Sequence, residues 1–338
     1  MIDFAHPAAE MPLPLLITGI AGVVGYNAFH RFQSRYPGHV FGMRQIDNAR
    51  LTGPGVLALN AEDRDGLARA FDRHKFAAVL DCAGNCALRA CELDPALAWR
   101  INVEGVRNLV SQTVPRRVRL VHLSVDLVFS GERDGGYLET DPPDPVTMYG
   151  KTMVVGEQVV READPAACTL RISLPMGVSF NGHAGAIDWI SSRFKKSRPA
   201  TLYLDEVRTP TYVDCLSSLG ETVLKSELAG LYHAGGPRRM SLYEIAQVIN
   251  RAGGYEPERL LGIPRHEAGP IPPRAGNVSM NSDKLIAALG TSPIEAWPRD
   301  GHLVPTDRDW HRRRRAGEPG SPEYVREVLC AKGATTQR

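Results

Sequence analysis

The chain has 338 residues, enough for one large α/β domain or two lobes. Hydrophobic residues make up 43%, charged residues 23%, and the net charge is +2, a balance ordinary for a soluble globular protein and too even for a nucleic-acid-binding one. No apolar run approaches the ~20 residues of a membrane span, and residues 1–13 hold acids and prolines without lysine or arginine, unlike a signal or transit peptide, so a cytoplasmic location is expected.

In chain order, Pro14–Ile17 is an apolar strand running into Thr18-Gly-Ile-Ala-Gly-Val-Val-Gly25 and then a helix ending near Tyr36. Strands follow at Val40–Arg44 and Val56–Leu59, a helix at Asp63–Arg73, a strand at Phe76–Cys82, a long helix at Pro95–Val114 and a strand at Val118–Ser124. This alternation predicts a Rossmann-type doubly wound parallel sheet over residues 14–172. Gly131–Val146, rich in Gly, Pro and Asp, reads as a surface loop, Tyr149–Glu162 as a helix and Cys168–Ile172 as a strand. From Ser173 the pattern loosens into a smaller interwoven lobe, residues 173–290. Helices are expected there at Thr211–Lys225 and Ser241–Ala252, and at Ser282–Gly290, which closes the compact part with a Gly cap. Residues 291–338 form a basic extension with the run His311–Arg315, read as solvated surface, and one helix at Pro322–Ala331.

Six cysteines are scattered, and the spacing of Cys82, Cys86 and Cys91 matches no zinc or iron–sulfur pattern, so no metal site is expected. The Gly-x-x-Gly-x-x-Gly loop after a strand and before a helix is the context of a dinucleotide fingerprint. Gly19 permits the tight turn, Gly22 admits a pyrophosphate and Gly25 allows close helix–sheet packing; Thr18, Val23 and Val24 belong to the same cofactor loop. The helix start supplies N–H groups for the anion. The second strand ends Gly42-Met-Arg-Gln45 with no acid before Asp47. Arg44 can pair with a 2′-phosphate, so NADP is favoured over NAD.

Tyr149-Gly-Lys-Thr-Met153 has the shape of a reductase's Tyr-x-x-x-Lys pair, with Met153 at the lysine position. A phenol titrates near pH ~10, and Met153 offers neither charge nor donor to help it. Lys151 points to the far side of a helix.

Several motifs then converge: Leu15-Leu-Ile-Thr-Gly19, Asp81-Cys-Ala-Gly84, Ile101-Asn-Val-Glu-Gly-Val-Arg-Asn108, His122-Leu-Ser-Val-Asp-Leu-Val-Phe-Ser-Gly131, Gly156-Glu157, Arg208-Thr-Pro-Thr-Tyr-Val-Asp214 and Asn281–Leu285. Over residues 14–290 the chain resembles the extended short-chain dehydrogenase/reductases, above all the dTDP-4-dehydrorhamnose reductases and the related regulatory β subunit of methionine adenosyltransferase. The resemblance implies that Ala83 and Gly84 line the cofactor cleft, that Asn60 and Ala61 lie by the adenine, and that Tyr149 protonates a carbonyl oxygen. It matches Asp126 to the acid of a Ser-Thr-Asp segment. Two positions depart: the catalytic Ser/Thr falls on Val125 and the lysine on Met153. Ser124 keeps a hydroxyl and is counted with the cofactor-facing residues, although strand alternation aims it to the opposite side.

The resemblance further implies a sugar-nucleotide substrate facing Ser173–Ala186 and Arg208–Thr211. Asp126 and Arg208 are the candidate contacts, Arg208 because arginine suits bidentate phosphate pairing. Trp189 and Phe194 read as packing. Beside a minor reading, nucleic-acid or membrane attachment through Arg312–Arg315, two readings stay open. One is an NADP-dependent reductase with altered machinery, its acid drawn from Tyr149, Asp126, His183 or the substrate, with a homodimer conceivable. The other is a non-catalytic NADP-binding regulatory protein with a protein partner.

Overall fold

The computed structural model describes residues 10–182, 184–314 and 317–330. In chain order the elements are β1 (Leu15–Ile17), α1 (Val23–Arg35), β2 (Val40–Arg44), β3 (Val56–Ala58), α2 (Arg64–His74), β4 (Ala78–Asp81), α3 (Leu88–Leu93), α4 (Pro95–Trp99), α5 (Gly105–Arg116), β5 (Arg119–Val125), α6 (Met148–Ala163) and β6 (Cys168–Ile172). There follow β7 (Pro175–Met176), α7 (Ala186–Lys195), β8 (Ala200–Tyr203), β9 (Val207–Arg208), β10 (Thr211–Tyr212), α8 (Val213–Leu224), β11 (Gly230–Ala234), β12 (Met240–Ser241), α9 (Leu242–Ala252), β13 (Leu260–Ile263), α10 (Asp283–Leu289) and α11 (Pro322–Leu329).

Seven parallel strands form the central sheet in the order β11-β6-β5-β4-β1-β2-β3. The strand order reverses between β1 and β4, which opens a crevice at the carboxyl ends of those strands. β1 is fully buried and β4 likewise, as expected of strands covered on both faces. One face carries Phe29, Phe32 and Leu15 in a core that runs on into α8 and α9; the other packs Leu67, Phe71, Leu109 and Val160. The edge strand β11 comes from beyond residue 173 and docks on β6, so the later part of the chain completes the sheet of the earlier part.

Several expectations are corrected. The long helix over 95–114 is instead α4 and α5 joined by a π turn, Arg100–Glu104, an insertion that buries Asn102. The 131–146 loop is anchored rather than superficial: Tyr137 is buried and stacks on Phe129 with ring centroids 4.0 Å apart. The compact part does not close at Gly290. Trp297, Trp310, Val325 and Leu329 join the main core, Trp297 Nε1 donates to Leu329 O at 3.0 Å, and Tyr212 Oη donates to Val328 O. The basic run splits up for the same reason. His311 is buried and Arg314 donates to Asn250 O and Tyr255 O, whereas Arg312 and Arg313 are exposed as expected; Arg315 lies outside the described residues. Among the described residues no helix is long and apolar enough to cross a membrane.

Candidate active site

The glycine loop sits at the β1/β4 crevice. Gly19 has φ +64°, and a Cβ there would stand 2.4 Å from Cys82 O, so both conformation and close approach demand glycine. A Cβ on Gly25 would lie 2.4 Å from Gly19 O, whereas one on Gly22 would meet only Gly19 O, at 3.4 Å. Gly25 is therefore required by packing, and Gly22 leaves the loop surface open. No side chain caps α1 and its first turn carries no acid, so its N–H groups and positive dipole end remain for an anion. The cradle fits a dinucleotide pyrophosphate.

Thr18 fixes the floor. Its hydroxyl donates to Asp81 Oδ1 at 2.5 Å and accepts from the N–H groups of Cys82 and Ala83, each at 3.0 Å. Asp81 Oδ2 in turn meets His122 Nδ1 at 2.7 Å. Ala83 and Gly84 continue along the crevice. Ala61 flanks it with Leu67, Ile101 and Gly105 around a cavity of about 10 Å³, roughly room for one water. Asn60 is turned to the loop after β2, its Oδ1 accepting from Ile46 N at 2.9 Å.

Three polar residues behave otherwise than expected. Arg44 is buried. Its Nε donates to Leu51 O at 2.6 Å and its Nη1 to Gln45 O and Ile46 O at 2.9 Å, so it shapes the loop after β2 and does not present its fork to solvent. Ser124 is fully buried and its hydroxyl donates to Glu157, which also takes both ends of the Arg171 fork at 2.8 and 2.7 Å; its side chain is unavailable to a ligand. Arg208 is buried and gives Nε and Nη2 to Asp126 at 2.6 and 2.5 Å. Ser173 Oγ donates to the same carboxylate at 2.5 Å. The pair binds itself, and neither partner is free for a diphosphate.

Tyr149 and Met153 share the inner face of α6, where both are buried, with Val125 packed beside them. Lys151 is exposed. Met153 Sδ lies 3.9 Å from where Gly84 would carry a Cβ, so the residue at the lysine position faces the cofactor crevice and brings it a thioether. Asn102 bridges the same region: its amide oxygen accepts from Asn85 N at 2.7 Å and its nitrogen donates to Thr152 Oγ1 at 2.9 Å. Among the described residues the Tyr149 hydroxyl has no hydrogen-bond partner. Burial pushes its phenol well above the ordinary value, Cys86 and Asp126 add to this, and Arg208 opposes it. Val125 can donate nothing in place of a serine or threonine. His183 lies outside the described residues.

Sequence reasoning missed Glu206 and Arg274. Glu206 is buried, accepts from Arg274 Nε at 2.8 Å and stands 3.7 Å from Arg208 Nη1. Burial raises the Glu206 carboxyl, and Arg274 and Arg208 pull the other way. For Arg208 burial opposes the charge, but Asp126 and Glu206 outweigh it and hold the guanidinium above its usual value. The signal available was the density of charge in Asp205-Glu206-Val-Arg208 with Arg274, which has no periodicity that would mark it as buried. Trp189 is 45% exposed while Phe194 is in the core, so only Phe194 packs as expected.

The family model described as the RmlD substrate binding domain matches residues 13–302. A dTDP-4-dehydrorhamnose reductase of Mycolicibacterium smegmatis is 28% identical over 272 residues, 77% of this chain and 80% of the relative. The methionine adenosyltransferase 2 subunit beta of Xenopus laevis is 28% identical over 276 residues, 80% of each. Among solved structures, a Bacillus anthracis dTDP-4-dehydrorhamnose reductase in complex with NADP superposes with a TM-score of 0.72 at 21% identity, over 84% of this chain and 95% of that one. That agreement is one of fold.

Proposed function

Because the chain belongs to the RmlD substrate binding domain family, we propose that it binds NADP and reduces the keto group of a sugar nucleotide, with Tyr149 as the proton donor. The observation that carries this reading is the convergence at one crevice of an open glycine cradle, an uncapped helix start and a buried tyrosine one helical turn before Met153, whose Sδ faces Gly84. A reductase of the family is among the relatives, and the B. anthracis structure holds NADP. Gly19, Gly22 and the start of α1 would hold the pyrophosphate, and Ala61, Ala83 and Gly84 would line the rest. The preference for NADP rests on the absence of an acid at the end of β2, with Arg44 acting through the loop that it braces.

When bound, the reduced dinucleotide supplies hydride to a carbonyl carbon. The chain supplies the proton. Tyr149 stays protonated through neutrality because burial disfavours its phenolate, so the acid form needed for reduction is always present. A secondary alkoxide is a stronger base than the phenolate, and the proton passes toward the sugar oxygen. Asp126, locked by Arg208 and Ser173, shapes the wall. Val125 and Met153 leave orientation of the phenol to packing against Leu127, Val128 and Phe129.

The second reading is a non-catalytic dinucleotide-binding protein. It is favoured by the two apolar replacements at one site and by the methionine adenosyltransferase subunit among the relatives. NADPH consumption with a panel of 4-keto sugar nucleotides decides between them. Turnover lowered about 10²–10⁴-fold in Tyr149→Phe supports the enzyme. Tight NADPH binding with no turnover on any member of the panel removes it. Activity appearing only in the double variant Val125→Thr, Met153→Lys would identify a pocket that kept its shape and lost its chemistry.

A further inference from the structure

A cavity of about 400 Å³ lies apart from the crevice, between the Gly235–Arg239 loop after β11, the residues leading into α10, and Ser292–Ile294 beyond it. Its size falls in the range of small-molecule sites. Its inner wall is formed by Thr209, Gly235 and Met280. Thr209 is 2% exposed, and its Oγ1 is buried without a hydrogen-bond partner. A Cβ on Gly235 would stand 2.5 Å from that oxygen and 3.5 Å from Met280 Cε, so the bare glycine leaves the hydroxyl and the methyl side by side. A buried hydroxyl with no partner is uncommon and costs free energy unless a ligand or water meets it.

The rest of the lining is divided by chemistry. Leu285, Ile286 and Ile294 give an apolar floor. Arg239 is exposed, has no ion pair among the described residues, and spends only Nη1 on the distant Asp134 O at 3.3 Å. Asn281 and Asp283, joined through Nδ2 and Oδ2 at 2.9 Å, add acceptors and a donor to the lining. Arginine with a free fork selects a carboxylate or phosphate, and amide, carboxylate and hydroxyl groups over an apolar floor suit ring hydroxyls on a carbon skeleton.

We infer that this cavity is a second ligand site, for a monosaccharide bearing one anionic group held by Arg239, with hydroxyls on Thr209 and the Asn281–Asp283 pair. The inference stands independently of whether Tyr149 turns over a substrate. Met280 lines the cavity and also belongs to the apolar cluster that holds Tyr149 and Met153, so a shift of its methyl marks the cavity when the Met153 methyl stays still.

The test is a titration of the full chain, labelled at methionine methyls, with glucose 1-phosphate, glucuronate and neutral glucose. The expected result is a saturable shift of the Met280 signal, assigned with Met280→Leu, for at least one anion, with glucose far weaker and Met153 unmoved. Arg239→Gln should weaken the anion roughly tenfold to a hundredfold, and Asp283→Asn, also on the surface, should weaken it less. The idea is overturned if neither anion moves Met280 up to roughly 10 mM, an affinity below about 3 kcal/mol of binding free energy. It is equally overturned if Met153 alone responds, or if Arg239→Gln binds like the parent.

Discussion

At the scale of single residues, the decisive substitution is Met153. Its side chain is 3% exposed, faces Gly84 and packs in an apolar cluster, so a lysine there buries an ammonium where a thioether now packs. Met153→Lys should lower the unfolding free energy of the cofactor-free protein by about 1–3 kcal/mol. Saturating NADPH should recover part of the loss by binding only the folded form. Urea denaturation with and without NADPH measures both; an unchanged midpoint in the free protein would mean that the position is wetter than its burial implies. The same change acts on Tyr149. Burial raises the phenol, so the parent should show no tyrosinate from this residue as pH rises to about 10, the ordinary value. A neighbouring cation favours the phenolate, so the variant should ionise at lower pH, and reductase activity should fall along a basic limb that the parent lacks. Tyrosinate absorbance read as a difference between each protein and its Tyr149→Phe counterpart checks the direction. That Tyr149, Met153 and Val125 meet in one place was legible from spacing and family order. That the Tyr149 hydroxyl finds no partner was not, because it depends on where Asp126 spends its oxygens.

At the scale of elements, the β1–α1 turn was readable because each glycine does a local job. Gly22 and Gly25 now separate binding from folding. Gly22→Ala adds a methyl 3.4 Å from Gly19 O, an ordinary contact, whereas Gly25→Ala adds one at 2.4 Å. The first should fold like the parent and lose about tenfold or more in NADPH affinity, since its methyl stands where the pyrophosphate approaches. The second should cost about 1–3 kcal/mol of stability as well. Calorimetric titration and thermal unfolding on both proteins distinguish them, and equal stability losses would show that the loop tolerates no Cβ anywhere. Elements governed by periodicity were legible, among them α2, α6 and α9, the last closed by the Ser241–Glu244 capping box. The π turn in 100–104 was not, because its sequence, Arg-Ile-Asn-Val-Glu, is ordinary helix and the extra residue is selected by Asn102 reaching Asn85 and Thr152. Strand alternation had already aimed Ser124 away, but the fates of Arg44 and Arg208 were not legible. Each looked like a ligand contact because it is polar at the edge of a cleft, and each is consumed by a partner distant in sequence or by loop carbonyls.

At the scale of the whole molecule, the sheet and its C-terminal cover form one buried system, and composition misled there. Arginines in 312–314 suggested a solvated arm, while Trp297 and Trp310, which carry the packing, stand in proline- and charge-rich surroundings with no period. Trp297 is fully buried and hydrogen-bonded to Leu329 O, so Trp297→Ala should cost about 3–5 kcal/mol, read by urea denaturation; a loss under about 1 kcal/mol would mean that the cover is detachable. The same burial gives the molecule an acid limit. His233 on β11 is fully buried, with Nδ1 against Tyr137 O at 3.1 Å and Asn281 O at 3.2 Å and Nε2 3.4 Å from Arg171 Nη1. Burial lowers its imidazole below the ordinary value, Glu139 opposing and Arg171 assisting. As pH falls below about 6.5, the unfolded chain takes up this proton before the folded one does. The contribution is therefore complete above that pH and lost as pH falls toward the folded value, by at most about 1.4 kcal/mol per pH unit. His311, also lowered chiefly by burial, adds in the same direction. His233→Gln keeps an amide for Tyr137 O and cannot titrate, so its unfolding free energy should fall less steeply than the parent's between about pH 7 and pH 5.5. If the two slopes coincide, His233 is protonated in the fold and the acid limit lies elsewhere.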